Sequence, residues 1–421
     1  MECTINRVGN SYSDQLKRTG HWRRADEDLA RFAALGLRTL RLPILWESVA
    51  PREPEERDWR WPDARLTWLR ELGLRPIAGL LHHGSGPRYT SLIDPEFPVK
   101  FASYAAAVAR RYPWIDAYTP INEPLTTARF SGLYGHWYPH GHDDATFVRA
   151  LLNQCYATAL AMAEIRKVNP QAILVQTEDL GRAQSTPALE HQAAFDNERR
   201  WLSWDLLRGE VGPSHALWNY LVESGVDVRQ LDSLGSNPCP PDLIGINHYV
   251  TSDRFLDEGI ENYPPETHGG NWEQVYADDA AVRASAEVPG FEAAISEAHD
   301  RYHAPMALTE VHLGDEPAEQ LRWFMEAWNM AQQARDDGVD LRAVTVWSLL
   351  GSFDWDSLVT RKQEHYEAGV FDISDGEPKE TLLADAIAEL SRGRTCERPE
   401  LQTPGWWRRP GRLREQFADV A

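Results

Sequence analysis

Short apolar runs alternate with longer amphipathic stretches along the whole chain. A short apolar run between polar residues is typical of a strand buried on both faces, whereas apolar residues three and four apart indicate a helix. Leu29, Phe32 and Ala33 share one helical face, and Gly36 marks the end of that helix. The predicted strands are residues 2–9, 37–46, 74–81, 115–121, 172–177, 242–249, 305–310 and 341–347. The predicted helices are residues 26–35, 66–72, 101–108, 144–169, 190–225, 291–302, 316–335 and 380–391.

Eight strands, each followed by helical residues, predict a closed parallel barrel. The units repeat without reversal, which favours a barrel over an open sheet. Barrels of this kind reach the 421-residue length of the chain as one domain. We therefore predict an α/β fold, a single (β/α)8 TIM barrel over residues 1–394 with extended loops at its C-terminal face.

Polar and aromatic residues follow many of the predicted strands. They are His82-His83, Asn122-Glu123, Asn247-His248-Tyr249, Glu310 and Trp347. In a parallel barrel, all strands deliver their C-terminal ends to one face, where the chemistry takes place. So many polar residues at strand ends exceed what core packing requires, so this face is the predicted functional site.

Two segments fall outside the alternation. Residues 253–288 are acidic and rich in Gly, Pro and aromatic residues, which predicts a long surface loop over the pocket. The tail, residues 395–421, contains Pro404-Gly-Trp-Trp-Arg-Arg409 and is basic, opposite in charge to the rest of the chain. We expect the tail to pack on the barrel, and a linker to a further domain is the alternative.

Charge and composition exclude several classes of function. A formal net charge of −21 opposes binding to nucleic acid or to an anionic membrane, and no apolar run is long enough to cross a bilayer. Four widely spaced cysteines indicate neither a disulfide framework nor a zinc site. No signal-peptide pattern opens the chain, so a cytoplasmic protein is expected. We also expect no cofactor and no metal, since the cysteine and histidine spacings match no metal site.

Paired carboxylates at two strand ends suit the hydrolysis of a glycosidic bond. One carboxyl group protonates the leaving oxygen, and the other acts as nucleophile or activates a water, depending on the distance between them. Glu123 ends the fourth predicted strand and Glu310 the seventh. In a closed barrel these ends can face each other across the mouth.

Three ordered motifs resemble those of a known family. They are Thr119-Pro-Ile-Asn-Glu-Pro124, Leu308-Thr-Glu310 and Val346-Trp-Ser-Leu-Leu-Gly-Ser-Phe-Asp-Trp355. They are similar to the acid/base, nucleophile and sugar-binding motifs of glycoside hydrolase family 1, the β-glucosidase and β-galactosidase family. The resemblance spans nearly the whole chain.

The resemblance implies a role for each matching residue. Glu123 would be the acid/base and Glu310 the nucleophile. The expected sugar contacts are Asn122, His82, Trp347, Asp354, Trp355 and Asn6. Arg41 and Tyr249 would tune the nucleophile. The implied activity is retaining hydrolysis of terminal β-glucosides, β-galactosides or β-fucosides, with a small-molecule β-glycoside or oligosaccharide as the expected partner and the oligomeric state left open.

Departures from the family pattern keep alternatives open. Val311-His312 replaces the usual Asn-Gly after the nucleophile, and Asp354 stands where Glu is usual. An endo-acting β-glycanase of a related barrel family and a catalytically weak carbohydrate-binding barrel remain alternatives. Arg361-Lys362 suits either a solvated face or a phosphorylated sugar. His136, His140 and His142 match no metal-ligand spacing, which favours a loop at the outer pocket.

Overall fold

The computed structural model describes residues 1–271 and 273–414, which divide into two compact units. The first unit contains Met1–Glu178, Leu202–Ile244 and Trp347–Cys396. The second contains Asp179–Trp201, Gly245–Val346 and the described part of residues 397–421. Each unit is thus assembled from segments that lie far apart in the sequence. The predicted boundary between residues 394 and 395 stays a prediction.

Seven strands belong to one sheet, and their order in the sheet follows their order in the chain. They are Thr39–Pro43, Arg75–His82, Ala117–Asn122, Ile173–Asp179, Leu243–Asn247, Met306–Val311 and Leu341–Val346. Every residue of Ala117–Asn122 and Met306–Val311 is buried, which explains why these strands read as apolar runs. The parallel register places His82 beside Asn122 at the C-terminal ends of their strands.

Helices follow these strands much as the periodicity predicts. The longer ones are His21–Ala34, Arg60–Glu71, Phe97–Arg111, Asp144–Val168, Glu190–Arg199, Leu202–Arg208, Trp218–Glu223, Val228–Ser236, Gly290–Tyr302, Pro317–Asp336 and Leu382–Leu390. Shorter helices cover Gln15–Arg18, Trp46–Val49, Pro124–Ala128 and Ala281–Ala284. Within the described residues, no helix is both long and apolar enough to cross a membrane.

Aromatic side chains form much of the core of the first unit. The ring of Trp46 is buried and lies 5.5 Å from Phe101, 5.7 Å from Phe97 and 6.1 Å from Tyr104. Tyr104 also donates a hydrogen bond to the carbonyl of Ile44, which satisfies its buried hydroxyl. These contacts hold the helix Phe97–Arg111 against the segment that follows Thr39–Pro43.

The predicted first strand pairs locally. Residues Ile5–Val8 form an antiparallel hairpin with Ser11–Asp14 and stand outside the seven-stranded sheet. Gly9 has a φ of 58° at the first position of the two-residue turn, where glycine is favoured. Two further antiparallel pairs join Ser352–Phe353 to Tyr366–Glu367 and Phe371–Asp372 to Lys379–Glu380.

The segment 253–288 is more regular than the loop that its composition predicts. It contributes Arg254–Asp257, His268–Gly270 and Val275–Ala280 to a four-stranded sheet, which Ala183–Ser185 completes. Leu256 and Tyr276 from this sheet are buried in a small cluster with Leu189. The strands are short and lie among polar residues, so no long apolar run identifies them in the sequence.

The described part of the basic tail packs on the helix Pro317–Asp336 within the second unit. Trp407 is buried, and its ring lies 5.0 Å from that of Trp323. Its indole N–H donates to Glu326 at 2.7 Å, and Arg408 forms an ion pair with the same carboxylate at 2.6 Å. Arg409 pairs with Glu319 at 2.6 Å. Basic tail residues thus neutralise acidic residues of the helix.

Candidate active site

Glu123 sits in a tight turn directly after the strand Ala117–Asn122. Its φ of 45° and ψ of 66° are left-handed, and Pro124 starts the short helix Pro124–Ala128. The backbone N–H of Glu123 donates to the carbonyl of Thr177 at 3.2 Å, and the residue is only 3% exposed. The left-handed turn and Pro124 end the strand, so the buried carboxyl group of Glu123 does not continue the alternation of side chains along it.

Glu178 holds the backbone that follows this turn. Its carboxylate accepts hydrogen bonds from the N–H groups of Leu125 at 2.9 Å and Thr126 at 3.1 Å. Burial raises the pKa of Glu178 to about 7, although these bonds favour the charged form. Sequence reasoning missed this residue, although it directly follows the predicted strand 172–177, because the sequence gives no sign of the helix end that it caps.

The side-chain amide of Asn122 has a fixed orientation. Its Oδ1 accepts from a guanidinium N–H of Arg41 at 3.0 Å and from the Thr177 hydroxyl at 2.7 Å. Because Arg41 only donates, Oδ1 must face it, and Nδ2 faces the two histidines. Nδ2 lies 3.2 Å from His83 Nε2 and 3.5 Å from His82 Nε2. Arg41 therefore contacts Asn122 within this unit and orients its amide.

His82 and His83 lie between Asn122 and the aromatic residues. The His82 ring stacks on Trp347 at 5.4 Å with an angle of 15°, and the guanidinium of Arg41 lies 4.6 Å from the Trp347 ring centre. Burial, His83 and Arg41 together lower the pKa of His82 well below its usual value. His82 is therefore uncharged, and its ring stacks on the ring of Trp347.

His83 contacts the predicted acid/base residue itself. Its Nε2 lies 3.6 Å from Oε2 of Glu123, and its Nδ1 lies 3.0 Å from the Thr127 hydroxyl. Burial, and then the charge of Arg41, lower the pKa of His83 to about 3. The sequence marks the His82-His83 pair as strand-end residues, but only the structure shows that His83 is the one beside Glu123.

Trp355 belongs to an aromatic cluster around His83. The His83 ring lies 5.5 Å from Trp355 and 5.3 Å from Trp137. Trp137 donates its indole N–H to the carbonyl of Leu358 at 2.7 Å, which ties the cluster to the segment after Trp355. Trp355 thus lies in the same group of side chains as Asn122 and Glu123, and its predicted contact with a sugar stays a prediction.

Asp354 is occupied by protein groups. Its carboxylate pairs with Arg18 at 2.7 Å and accepts from the backbone N–H groups of His365 at 2.8 Å and Gln363 at 3.2 Å. Burial would raise the pKa of Asp354, but these donors outweigh it and leave the pKa below its usual value. The carboxylate therefore fastens the segment 354–365, and its predicted contact with a sugar stays a prediction.

Asn6 lines a separate cavity of about 650 Å³ in the first unit. Its Nδ2 donates to the carbonyl of Val359 at 3.3 Å. Arg361 and Lys362 line the same cavity. Asn6 thus contacts the segment that follows Trp355. The residues that line this cavity do not include His82, His83, Asn122 or Glu123.

Glu310 lies in the second unit, at the end of the strand Met306–Val311. It is 2% exposed, and the Tyr249 hydroxyl donates a short hydrogen bond to its Oε2. Its backbone carbonyl accepts from the N–H of His248 at 3.2 Å, and the neighbouring Thr309 hydroxyl donates to Asn247 at 2.7 Å. Tyr249 thus contacts the nucleophile candidate, and its role in tuning the nucleophile stays a prediction.

His140 has a structural role in its loop. Its Nδ1 donates to the carbonyl of Gly135 at 2.8 Å, and its Nε2 accepts from the N–H of Gly9 at 2.9 Å. Among residues 1–271 and 273–414, no group of three or more His, Cys, Asp or Glu side chains is placed to hold a metal ion.

Comparisons with known proteins agree on one family. The sequence profile described as Glycosyl hydrolase family 1 matches residues 7–364. An aryl-phospho-β-D-glucosidase of Bacillus subtilis is 23% identical over 78% of this chain and 76% of its own length. A β-glucosidase of Oryza sativa is 23% identical over 80% of this chain and 77% of its own length. A family 1 β-glucosidase from Thermotoga maritima has a TM-score of 0.73 at 17% identity and covers 90% of this chain and 88% of its own. This likeness in structure confirms the predicted α/β TIM-barrel fold, although the described sheet holds seven parallel strands and the predicted first strand lies outside it.

Proposed function

Because the chain belongs to glycosyl hydrolase family 1, we propose that it is a retaining β-glycosidase that removes terminal β-linked monosaccharides by double displacement. The family makes the protein a glycoside hydrolase of the β-glucosidase type. The proposal adds the stereochemistry, the roles of the two carboxyl groups and the glycone.

In the first step, Glu310 attacks the anomeric carbon while Glu123 gives its proton to the glycosidic oxygen. The bond from the carboxylate to the sugar forms, and the bond to the leaving oxygen breaks. In the second step, Glu123 takes a proton from water, the water oxygen bonds to the anomeric carbon, and Glu310 leaves as a carboxylate. Two inversions at one carbon give net retention.

The observation that carries this proposal is the contrast between the partners of the two carboxyl groups. Tyr249 offers an O–H donor to Glu310, and such a bond suits a carboxylate that attacks as an anion. Glu123 instead lies beside His83, and the low pKa of His83 keeps the histidine ring uncharged. One group is thus supported as the nucleophile and the other as the acid.

Asn122 is placed to contribute to sugar binding. Arg41 and Thr177 occupy its Oδ1, so its donor side, Nδ2, points toward the histidine pair. Because this donor is already oriented, it needs little reorganisation to bind the sugar 2-hydroxyl. That contact strengthens in the transition state. The stacked rings of His82 and Trp347 supply a flat apolar surface for the sugar.

A phosphorylated glycone is the second candidate. Relatives named 6-phospho-β-glucosidase and aryl-phospho-β-D-glucosidase match the chain at 23–24% identity, and Arg361 and Lys362 line the cavity that contains Asn6. We favour the unphosphorylated glycone, because Phe353-Asp354-Trp355 resembles the pattern of the unphosphorylated members.

A panel of nitrophenyl glycosides tests the proposal. It should include the β-glucoside, β-galactoside and β-fucoside, the α-glucoside, and the 6-phospho-β-glucoside. We expect hydrolysis of at least one unphosphorylated β-glycoside, with the β-anomer as the first product in proton NMR. The α-anomer as first product would contradict retention. Cleavage of the phosphorylated substrate alone would favour the second candidate. With β-glycan chains as an additional substrate, cleavage of those chains alone would favour an endo-acting enzyme. Sugar binding without hydrolysis of any substrate would favour a carbohydrate-binding barrel.

A further inference from the structure

Glu178 is a buried carboxyl group that takes no part in the two steps of the proposed reaction. It lies near the end of the strand Ile173–Asp179 and is fully buried. Its Oε2 accepts from the N–H of Leu125 at 2.9 Å, and its Oε1 accepts from the N–H of Thr126 at 3.1 Å. One carboxyl group thus binds two successive peptide units, two and three positions after Glu123.

The preceding residue of the same strand, Thr177, binds the other side of the turn. Its carbonyl accepts from the N–H of Glu123 at 3.2 Å, and its hydroxyl donates to Oδ1 of Asn122 at 2.7 Å. Thr177 and Glu178 together therefore contact four of the five residues 122–126. Because hydrogen bonds on both sides of Glu123 lead to one strand, that strand sets the path of the backbone through Glu123.

The backbone at Glu123 needs these contacts because its conformation is unfavourable. Its φ of 45° and ψ of 66° are left-handed, a conformation that residues other than glycine rarely adopt unless the surroundings hold it. Pro124 has no N–H, so the next two N–H groups that can hold the turn are those of Leu125 and Thr126. Glu178 binds both of them, so the turn depends on this side chain.

We propose that Glu178 is a positioning residue that holds the turn at Glu123, so that the Glu123 carboxyl group meets the leaving oxygen. This inference rests on the acid/base role of Glu123 in the proposed function. Glu178 itself exchanges no proton with the substrate and acts only through the backbone of residues 123–126. Proton transfer requires hydrogen-bond distance, so a small displacement of Glu123 lowers the rate of that step.

The position of Glu178 requires two acceptor oxygens. A carboxyl group has two oxygens that can accept, whether it is ionised or protonated, whereas an amide has one oxygen and one donor group. Glu178→Gln therefore keeps the shape of the side chain but sets an NH₂ group against a backbone N–H. Glu178→Asp keeps both oxygens but withdraws them by one methylene. The two variants disturb the turn in different ways.

The first test measures kcat/KM for aryl β-glycosides with good and poor leaving groups. In Glu178→Gln, we expect kcat/KM to fall about three- to tenfold for a poor leaving group and less than about twofold for dinitrophenolate, which leaves without a proton. Glu178→Asp should show a smaller difference in the same direction, and it decides the inference if Glu178→Gln does not fold. A structural defect would lower both rates equally, and equal losses would overturn the inference.

Asp28→Asn is the matched control for this test. Asp28 is also a fully buried carboxyl group of the first unit, and it pairs with His21 at 2.9 Å and with Arg31 at 3.2 Å on its own helix. The change from carboxylate to amide is the same, but it lies on a different element. We expect no dependence of its effect on the leaving group. A dependence as large as that of Glu178→Gln would count against the inference.

A double variant shows whether Glu178 acts through Glu123. In Glu123→Ala the acid is already absent, so the addition of Glu178→Gln should leave kcat/KM for a poor leaving group unchanged. A further three- to tenfold loss in the double variant would mean that Glu178 acts by another route, and would contradict the inference.

Hydrogen exchange separates this inference from the proposed function. Mass spectrometry of peptides that cover residues 122–128 should show faster amide exchange in Glu178→Gln than in the wild type, and wild-type exchange in Asp28→Asn. If the wild type cleaves no aryl glycoside, the proposed function fails, and this measurement still decides whether Glu178 holds the turn. If Glu123→Ala depends on the leaving group but Glu178→Gln does not, the proposed function stands and the inference fails. Unchanged exchange in Glu178→Gln would also overturn it.

Discussion

Glu123 directly follows a buried strand and Glu310 lies within one, and both are almost fully buried, yet their neighbouring side chains differ. Glu310 accepts a hydrogen bond from the Tyr249 hydroxyl, whereas Glu123 lies 3.6 Å from a ring nitrogen of the uncharged His83. A donor suits the charged form of a carboxyl group. The difference teaches that two identical side chains can be given different surroundings by the elements that carry them.

The backbone around the two residues also differs. Glu310 stays within its strand, and its carbonyl takes the N–H of His248. Glu123 leaves its strand through a left-handed turn whose helix is capped by Glu178. A nucleophile must hold one position, while an acid that later becomes a base must reach the leaving oxygen and then a water. The buried turn presents the Glu123 carboxyl group beyond the end of its strand.

Removing Glu310 should give the largest effect. Glu310→Gly should lower kcat for an activated aryl β-glycoside by about 10⁴-fold or more, because no carboxylate remains to form the covalent intermediate. Added azide should restore turnover and give the glycosyl azide of inverted configuration, identified by NMR. Wild-type protein with azide serves as the control. Undiminished activity in the variant would rule out Glu310 as nucleophile.

Glu123→Ala should distinguish substrates by their leaving groups. For a poor leaving group, kcat/KM should fall by about 10²–10⁴-fold, because the oxygen departs without its proton. Dinitrophenolate leaves without a proton, so for this leaving group the rate of the first step should fall far less. The measurement is kcat/KM across a series of aryl glycosides. Equal losses along the series would show that Glu123 is not the acid.

Tyr249→Phe should have an intermediate effect. It removes the donor from Glu310, and a hydrogen bond to a charged group contributes about 1.5–3 kcal/mol, so kcat should fall by about 10–100-fold. Tyr220→Phe is the matched control, since it removes a tyrosine bond to Asp144 in the first unit. Similar rates in the two variants would mean that the donor at Glu310 has no special part in the reaction.

Glu178→Gln should have the smallest effect. It should change the stability of the folded chain and the dependence of that stability on pH. The pKa of Glu178 is raised by burial from 4.5 to about 7, so the folded chain holds a proton there that the unfolded chain has already lost. The stability that this proton contributes is fully present below pH 4.5 and is lost as the pH rises through about 7. The Tm of the wild type relative to that of Glu178→Gln should therefore fall by about 3 °C or more across this window.

The exposed Glu377→Gln is the control for this measurement, because it makes the same chemical change at the surface. Its Tm should follow that of the wild type at each pH. A Tm difference between wild type and Glu178→Gln that stays constant from pH 4 to 8 would contradict the buried titration.

The buried strands and their end residues were predictable from the sequence. Strands such as Ala117–Asn122 are covered on both faces, so they read as apolar runs, and polar residues directly after them mark the functional end of the sheet. Asn122, Glu123 and Glu310 therefore stood out before any contact was known. The ordered motifs then indicated the family that the profile match shows.

The contacts that give these residues their properties were not predictable. Arg18 with Asp354 and His83 with Glu123 join segments whose spatial relation no periodicity encodes. Glu178 looks like any polar residue in a strand, and its role depends on the helix end that it meets. The sheet of residues 254–280 has strands too short and too polar to show a pattern.

Trapping the covalent intermediate tests the central claim most directly. A 2-deoxy-2-fluoro β-glycoside of the preferred glycone, with dinitrophenolate as leaving group, slows both steps but lets the first proceed. After incubation, mass spectrometry of the intact protein and of its peptides should show one added fluorosugar, attached at Glu310. A label on any other residue, or steady turnover with no labelled protein, would contradict double displacement through Glu310.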